Sequence, residues 1–398
     1  MSYKILNTSN IISYIKSIKK TRDYFGDDSL HVEEIGDGNL NFVFIVKSEQ
    51  NYKKALILKQ AVPYLRCVGE EFPLSKERMT FEIRALLRYS HTTPKLVPFI
   101  YDSSEDMSCV VMQFLDEHII MRKGMIDGTV YPNFAEHIST FLAQNLFKTS
   151  SLFLDSTCKR QLVDDFNQNT ELCKLTEDFV FSFAFMEHES NDENAKNNKT
   201  AQKLFEDMDF KKDVLKLKYK FMTQNDALLH GDLHTGSIML NQKETFVIDP
   251  EFAFVGPFGF DIGALIGNLV MSYVSHQEVN YKKWILELIE EILTKFEEKF
   301  LNLWSEHNTL YIDGFIDNKN FNIYKKEFMK NILRDTVGFA GCKMARRMFG
   351  IAGVEDIRGL EDKKRRDKAE ALVLEIAKRF VKNYEKVENV KDLREMIV

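Results

Sequence analysis

Two short acidic stretches are the residues of this chain best suited to chemistry. Residues 230–237, with the sequence HGDLHTGS, contain Asp232, and residues 247–252, with the sequence VIDPEF, contain Asp249 and Glu251. Each stretch borders an apolar run, which predicts carboxylates placed on loops at strand ends. Phosphoryl transfer to an alcohol needs a carboxylate that accepts the hydroxyl proton and oxygen ligands that hold magnesium. We therefore interpret Asp232 as the candidate base and Asp249 with Glu251 as the candidate magnesium ligands.

Taken alone, each acidic stretch also has a purely structural interpretation, because Asp and Pro are common in ordinary turns. Two upstream features strengthen the chemical interpretation. Residues 36–41, GDGNLN, could bring backbone close to phosphates, although the same dipeptides often form simple hairpin turns. Lys59 stands in an apolar strand pattern where kinases place a phosphate-binding lysine, although it could be a solvated edge residue. The order of these features favours phosphoryl transfer.

Alternating apolar residues predict five strands and thus an N-terminal five-stranded antiparallel sheet, at 30–35, 41–46, 55–60, 97–101 and 109–114. A helix is predicted from Leu74 to about Tyr89, with Glu82 as the candidate partner of Lys59 and Glu77 as the alternative. Helical spacing then recurs in 132–150, 159–172, 200–222, 260–276, 280–300, 321–345 and 362–385. These patterns predict an α+β protein with an N-terminal part at 1–113, which ends with the sheet, and a mainly helical part at 114–398.

Composition limits the functional classes. With 44% apolar residues and a net charge of -6, the 398-residue chain is typical of a soluble globular protein without a nucleic-acid surface. Its five cysteines are scattered without a CxxC pair, which predicts a reducing, cytoplasmic location without a zinc site. The longest apolar stretch, residues 262–274, is too short to span a bilayer. We expect no nucleic-acid or membrane partner.

The order of glycine loop, strand lysine, HGD loop and aspartate after a strand is similar to the aminoglycoside phosphotransferase and choline kinase branch of the protein-kinase-like fold. The blocks HGDLHTGSI, IDPEFAF, GPFGFDIG, KQAVPYLRCVGE and GCKMARRM also resemble the 5-methylthioribose kinase family. The resemblance implies a bilobal protein-kinase-like fold, with a nucleotide-binding lobe at 1–113 and a catalytic and substrate-binding lobe at 114–398. It also implies ATP and Mg²⁺ as cofactors, and a homodimer. It further implies transfer of the ATP γ-phosphate to the anomeric hydroxyl of 5-methylthioribose, which gives the 1-phosphate in methionine salvage.

Carried over residue by residue, the resemblance matches the family's base to Asp232 and its metal pair to Asp249 and Glu251. Arg346 and Arg347 match paired arginines at the substrate, although two arginines on a helix more commonly form a solvated face. The nucleotide contacts that the resemblance implies, besides the metal pair, are Asn39, Lys59, the hinge residues Gln113, Phe114 and Leu115, and Pro250.

Three positions depart from the family pattern. Most related kinases hold magnesium with an Asn five residues after the base, where this chain has Ser237, and we expect the Glu251 carboxylate to compensate. Gln113 replaces an acidic residue at the start of the hinge, and Phe72 replaces a tryptophan in a loop that could close over substrate.

Three other functions fit parts of the pattern. The first is a kinase for another small alcohol, of the choline, homoserine or aminoglycoside type. The second is a nucleotide-binding pseudokinase, which the retained Lys59, Asp232 and Asp249 disfavour. The third is a dinuclear metal hydrolase that would use His230, Asp232, His234 and Asp249, but such a site needs further ligands that the sequence does not offer as a second cluster.

Overall fold

A five-stranded antiparallel sheet forms the framework of the N-terminal part of the chain, as the alternating pattern predicts. The computed structural model describes residues 3–35, 40–65, 69–191, 199–307, 309–311, 314–350 and 353–398. The glycines of the predicted phosphate loop and Asn39 lie outside the described residues. The five strands are β1 (Leu30–Glu34), β2 (Asn41–Ser48), β3 (Ala55–Ala61), β6 (Ile100–Ser104) and β7 (Cys109–Gln113). Their order in the sheet is β1-β2-β3-β7-β6.

Two details of the strand prediction are wrong. Strand β6 begins at Ile100 rather than at residue 97, because Pro98 has no N–H with which to join the ladder. A short antiparallel pair, β4 (Tyr64–Leu65) with β5 (Gly69–Pro73), was not predicted. Its second strand contains two consecutive glutamates and does not show the apolar alternation on which the prediction relied.

Helices cover both faces of the five-stranded sheet. On one face, α1 (Ile11–Ser17) and α2 (Lys19–Phe25) pack against the buried side chains of Leu56 and Leu58. On the other face lies α3 (Arg78–Thr92), whose Met79 and Ile83 pack against Ala61, Val110 and Met112. Because side chains alternate across a strand, Lys59 shares the α3 face with Ala61 and Ile57.

The chain forms two compact units. The first comprises Met1–His118 together with Phe246–Ala253, and the second comprises Ile119–Thr245 and Phe254–Val398. The second acidic stretch is therefore part of the first unit, which no sequence pattern indicated. The roles predicted for lobes 1–113 and 114–398 stay predictions.

The second unit is mainly helical. Two antiparallel pairings occur among its short strands, β8 (Ile119–Ile120) with β10 (Ile238–Leu240) and β9 (Ala227–Leu229) with β12 (Phe254–Gly256). The predicted helix at 200–222 is divided at Asp207, whose side chain caps the following helix by accepting from the Phe210 N–H. The helices are α4 (Met121–Ile126), α5 (Phe134–Lys148), α6 (Ser156–Asn167), α7 (Thr170–Phe179), α8 (Lys199–Glu206), α9 (Met208–Thr223), α10 (Gly259–Ser275), α11 (Val279–Glu306), α12 (Asn318–Phe349), α13 (Glu355–Arg358), α14 (Lys363–Asn383) and α15 (Val390–Ile397).

Helix α10 is buried along its whole length and packs closely on α12. The close approach depends on glycine: a Cβ on Gly259 would lie 2.6 Å from the backbone nitrogen of Thr336, and one on Gly263 would lie 2.6 Å from its carbonyl oxygen. These two helices carry several of the charged side chains described below. Along the described residues, no helix has both the length and the apolar character needed to cross a bilayer.

Candidate active site

Lys59 forms the centre of a buried ion-pair cluster in the first unit. Its Nζ donates to Oε1 of Glu82 over 2.8 Å and to Oδ1 of Asp249 over 2.7 Å. The Lys59 side chain is 6% exposed and that of Glu82 is 0% exposed, so this lysine is not a solvated edge residue. Glu82 is the predicted partner, and the alternative, Glu77, instead accepts a hydrogen bond from the Ser75 hydroxyl.

The charges around Lys59 keep it cationic. Burial alone would lower the pKa of the lysine, but the carboxylates of Asp249, Glu82 and Glu251 outweigh burial and raise it above its usual range. A charged ammonium held by carboxylates of the same unit is suited to binding nucleotide phosphates.

Asp249 has a backbone conformation that is unusual for a residue other than glycine. Its φ of 61° and ψ of 49° lie in the left-handed region, between strand β11 (Thr245–Val247) and a 3₁₀ turn at Pro250–Phe252. Such conformations cost free energy and persist where surrounding structure enforces them, often at functional sites. The Asp249 side chain is 45% exposed, so its carboxylate is open to a ligand.

Glu251 is held by Asn41 and Arg78, neither of which was predicted to contact it. Its Oε2 accepts from Nδ2 of Asn41 over 2.9 Å and lies 3.6 Å from Nε of Arg78. Arg78, the first residue of α3, also donates to Oδ1 of Asn41 and is buried. Asn41, Arg78 and Glu251 therefore form a second polar cluster in the first unit.

The donor atoms of Asp249 and Glu251 fit a magnesium site. Mg²⁺ prefers hard oxygen ligands and commonly takes one or two carboxylates, filling its other positions with phosphate and water oxygens. Two carboxylates separated by one residue, one of them 45% exposed, supply such a set.

In the second unit, a buried aspartate positions the loop that carries Asp232. Asp261, in the first turn of α10, accepts from the backbone N–H of His230 over 2.6 Å and from that of Gly231 over 3.0 Å. Gly231 has a φ of 83°, a left-handed value that favours glycine. Asp261 lies in the GPFGFDIG block, and no role was predicted for it from the sequence.

The Asp232 carboxylate is surrounded by nitrogen atoms. Nζ of Lys343 donates to its Oδ1 over 2.9 Å, Nε2 of His234 lies 3.3 Å from its Oδ2, and Nη2 of Arg347 lies 3.9 Å from the same oxygen. Burial opposes ionisation of Asp232, but Lys343, His234 and Arg347 outweigh burial and hold its pKa well below the usual range. Asp232 is therefore ionised at neutral pH.

His234 acts as a neutral hydrogen-bond donor. Burial lowers its pKa to about 4, against the opposing effect of Asp232. Its Nδ1 accepts from the Gly236 N–H over 2.9 Å, which assigns the ring proton to Nε2, the atom that faces Asp232. The Nδ1 atom of His230 accepts from the Asp232 N–H over 3.4 Å. Each imidazole thus accepts a hydrogen bond from a backbone N–H of its own loop. This arrangement disfavours the hydrolase interpretation, in which the two histidines would bind metal.

Comparison with known proteins identifies the family. Residues 31–287 match the phosphotransferase enzyme family. Methylthioribose kinase 1 of Oryza sativa subsp. japonica is 38% identical over 98% of this chain and 94% of its own length. Methylthioribose kinase of Geobacillus sp. (strain WCH70) is 39% identical, covering 92% of this chain and 90% of its own. The chain belongs to the methylthioribose kinase family of phosphotransferases. A choline kinase structure from Cryptosporidium parvum Iowa II aligns over 98% of both chains with a TM-score of 0.49 and 13% identity.

As a member of this family the chain is a kinase, and the predicted α+β, protein-kinase-like fold class is confirmed. For two residues of this kinase near Asp232, the structure adds what the sequence left open. Ser237 donates from its hydroxyl to the Asp232 carbonyl oxygen over 2.9 Å, so it stabilises the loop internally. Arg347 is 7% exposed, so the solvated-face alternative is wrong for this arginine.

Helix α12 supplies a cluster of cations to this part of the kinase. Lys343 and Arg347 are four residues apart and share one face of the helix, next to Arg346. Burial and the neighbouring Arg346 lower the pKa of Arg347 to about 9, which leaves the guanidinium charged at neutral pH. Lys343 was missed because the GCKMARRM block was interpreted through its arginines alone.

A further arginine of the kinase comes from α4. Nε of Arg122 lies 3.4 Å from Oδ2 of Asp356, and its Nη2 donates to Oδ1 of Asn268 over 3.3 Å. Arg122 also lowers the pKa of His234, which helps to keep that imidazole neutral. No sequence pattern indicated Arg122, because it lies in a short helix far from the acidic stretches in the sequence.

The predicted hinge residues of the kinase lie at the end of strand β7 and directly after it. Gln113 pairs with Leu56 across β7 and β3, and its side-chain Oε1 accepts from the Phe99 N–H over 3.2 Å. Leu115 is buried, and Nζ of Lys47 lies 5.6 Å from the centre of the Phe114 ring. Their contact with a nucleotide stays a prediction, as does that of Asn39.

Proposed function

We propose that this kinase transfers the γ-phosphate of ATP to the anomeric hydroxyl of 5-methylthioribose and produces 5-methylthioribose 1-phosphate in methionine salvage. The observation that carries the proposal is the ionised Asp232 carboxylate, held by Lys343 over 2.9 Å in a cluster of cations. The curated relatives at 38% and 39% identity are named for kinase activity on methylthioribose. Their names support the choice of acceptor.

The first unit would bind the nucleotide. Lys59 would contact the ATP phosphates through the ammonium that Asp249 and Glu82 now neutralise. Asp249 and Glu251 would hold Mg²⁺, which when bound neutralises phosphate charge. The remaining nucleotide contacts that we propose are Asn39, Pro250 and the hinge residues Gln113, Phe114 and Leu115.

The second unit would bind and activate the acceptor. Asp232 would accept the proton of the anomeric hydroxyl as the hydroxyl oxygen bonds to the γ-phosphorus and ADP leaves. Its low pKa makes Asp232 a weak base, but phosphoryl transfer through a loose transition state depends more on orientation and charge stabilisation than on strong proton abstraction. An anomeric hydroxyl is also more acidic than an ordinary alcohol. Arg346 and Arg347 would bind the sugar and stabilise negative charge at the acceptor.

A comparative assay tests the substrate. Purified kinase would be supplied with Mg²⁺, ATP and one of four acceptors: methylthioribose, ribose, choline or homoserine. We expect ADP formation with methylthioribose and a ³¹P signal of a sugar 1-phosphate. Activity with choline or homoserine alone would instead establish the alternative of another alcohol kinase. ATP binding without phosphorylation of any acceptor would establish the pseudokinase.

An Asp232→Asn variant tests the role of the base. We expect kcat to fall by about 10²-fold or more while the Kd for ATP stays unchanged. Asp335→Asn is a matched control, because Asp335 is another aspartate of the second unit that pairs with a lysine, Lys220. Turnover near the wild-type value in Asp232→Asn would exclude Asp232 as the catalytic residue.

We also propose that the enzyme is a cytoplasmic homodimer. Among the described residues, Cys109, Cys158, Cys173 and Cys342 form no disulfide, which is compatible with a reducing compartment. The homodimer rests on resemblance to the family. Light scattering coupled to size-exclusion chromatography tests it, and a mass close to the 46.5 kDa of one chain would exclude it.

A further inference from the structure

Lys343 is the cation closest to the Asp232 carboxylate, and neither the family blocks nor the relatives' names assign it a role. Its Nζ donates to Oδ1 of Asp232 over 2.9 Å and lies 4.7 Å from the centre of the Phe260 ring. Its side chain is 6% exposed. A buried lysine is costly unless it is paired, so this pairing accounts for the burial of the residue.

The other charged groups near this pair do not duplicate the contact. His234 is neutral and faces Oδ2, the oxygen that Arg347 approaches only to 3.9 Å. Arg346 acts on Asp232 and Lys343 only through its charge, and the carboxylate of Asp261 adds a weaker attraction to Lys343. Lys343 is therefore the direct cationic donor to Oδ1 that the described residues provide.

We propose that Lys343 is a positioning residue for phosphoryl transfer, whose hydrogen bond to Oδ1 holds the Asp232 carboxylate in one orientation and keeps it ionised. The inference rests on the proposed function of Asp232. A charged donor on one carboxylate oxygen restricts rotation of the group, and catalysis by a positioned base depends on such geometry. The acceptor hydroxyl would then meet a carboxylate that is already oriented.

Two variants remove the charge of Lys343. Lys343→Gln keeps a hydrogen-bond donor, whereas Lys343→Met keeps only the apolar stem over Phe260. For both, kcat with methylthioribose should fall, by about 10²-fold in Lys343→Met, while KM for ATP stays unchanged. The acid limb of the pH profile of kcat/KM should move to higher pH by roughly 1–3 units, because an opposite charge at this distance lowers a carboxylate pKa by that amount. Lys343→Arg, which keeps the charge, should leave the acid limb in place.

Lys325→Met provides the matched control. Lys325 lies on the same helix, is also buried, and has its Nζ 5.0 Å from the Phe321 ring, but its side-chain hydrogen bond goes to the Ser305 hydroxyl. This variant should leave the acid limb unchanged. Thermal melting of each variant identifies those that fold. One folded variant, either Lys343→Gln or Lys343→Met, is sufficient to test whether Lys343 positions Asp232.

The results separate this inference from the proposed function. If Asp232→Asn is inactive while the folded Lys343 variants keep the wild-type kcat and acid limb, Lys343 is not a positioning residue and the role of Asp232 stands. If Asp232→Asn remains active, Asp232 is not the base and both proposals fail. A shifted acid limb in the Lys343 variants, with Lys325→Met unchanged, supports the inference.

Discussion

The Lys59 ammonium donates to the Asp249 carboxylate over 2.7 Å, although 190 positions separate the two residues in the sequence. The contact places a strand lysine and the second acidic stretch in the same compact unit. Both residues are candidates for binding nucleotide phosphates, one directly and one through Mg²⁺. The contact is therefore the structural basis of the nucleotide-binding role that we propose for the first unit.

Replacing Lys59 with Met should destabilise the kinase and weaken ATP binding. Glu82 is fully buried and would lose its partner, so we expect a loss of roughly 3–5 kcal/mol in the free energy of unfolding, measured in urea. The double variant Lys59→Met/Glu82→Leu removes the uncompensated charge and should recover part of that stability. Because the phosphate-binding ammonium is still missing, its ATP affinity should remain low in calorimetric titration. Normal ATP affinity in the double variant would exclude Lys59 from nucleotide binding.

Neutralising either acidic residue of the proposed metal pair should raise the magnesium requirement. For Asp249→Asn and Glu251→Gln we expect the Mg²⁺ concentration at half-maximal activity to rise by about tenfold or more, since even indirect changes near metals cost roughly 10–100-fold in affinity. This concentration is obtained from initial rates measured over a range of Mg²⁺ concentrations at saturating ATP. Glu105→Gln is the control, because Glu105 is a carboxylate of the same unit that pairs with Arg84. An unchanged Mg²⁺ requirement in both variants would exclude Asp249 and Glu251 as magnesium ligands.

Asp261→Asn should impair catalysis by loosening the loop before Asp232. The aspartate accepts two backbone N–H groups, whereas an asparagine has one acceptor oxygen and turns its NH₂ group toward the second donor. We expect kcat to fall while KM for ATP stays the same, together with a loss of about 1–3 kcal/mol in stability. Steady-state kinetics and urea unfolding measure the two effects. A variant with lower stability but full kcat would limit Asp261 to a folding role.

The neutral state of His234 predicts a pH-dependent stability. The unfolded imidazole has the ordinary pKa of 6.5, whereas the folded one has a pKa of about 4, so the unfolded state binds more protons between these values. Stability should therefore fall as pH decreases from 6.5 to 4, by about 3 kcal/mol at roughly 1.4 kcal/mol per pH unit. A His234→Gln variant lacks this titration. Urea unfolding at pH 7, 5.5 and 4.5 should show a smaller decrease for the variant, and equal decreases would contradict a neutral His234.

Much of the fold was predictable because the determining signals are local. Period-two apolar patterns identified all five strands of the antiparallel sheet, and the shift of β6 to Ile100 follows from Pro98, a residue visible in the sequence. Helical spacing located most of the second unit, but the break at Asp207 depends on a side-chain cap within one continuous periodic stretch.

The sequence by itself determined the family, the fold class and the acidic stretches, because motif order and apolar period are properties of neighbouring residues. Only the tertiary structure decided which charges meet. It selected Glu82 over Glu77 for Lys59, brought Arg78 to Glu251, and placed Lys343 against Asp232, 111 positions away. Whether a lysine or arginine is solvated or buried beside a carboxylate depends on how helices and strands pack. That packing brings together residues that are far apart in the sequence, and no local sequence pattern indicates their contact.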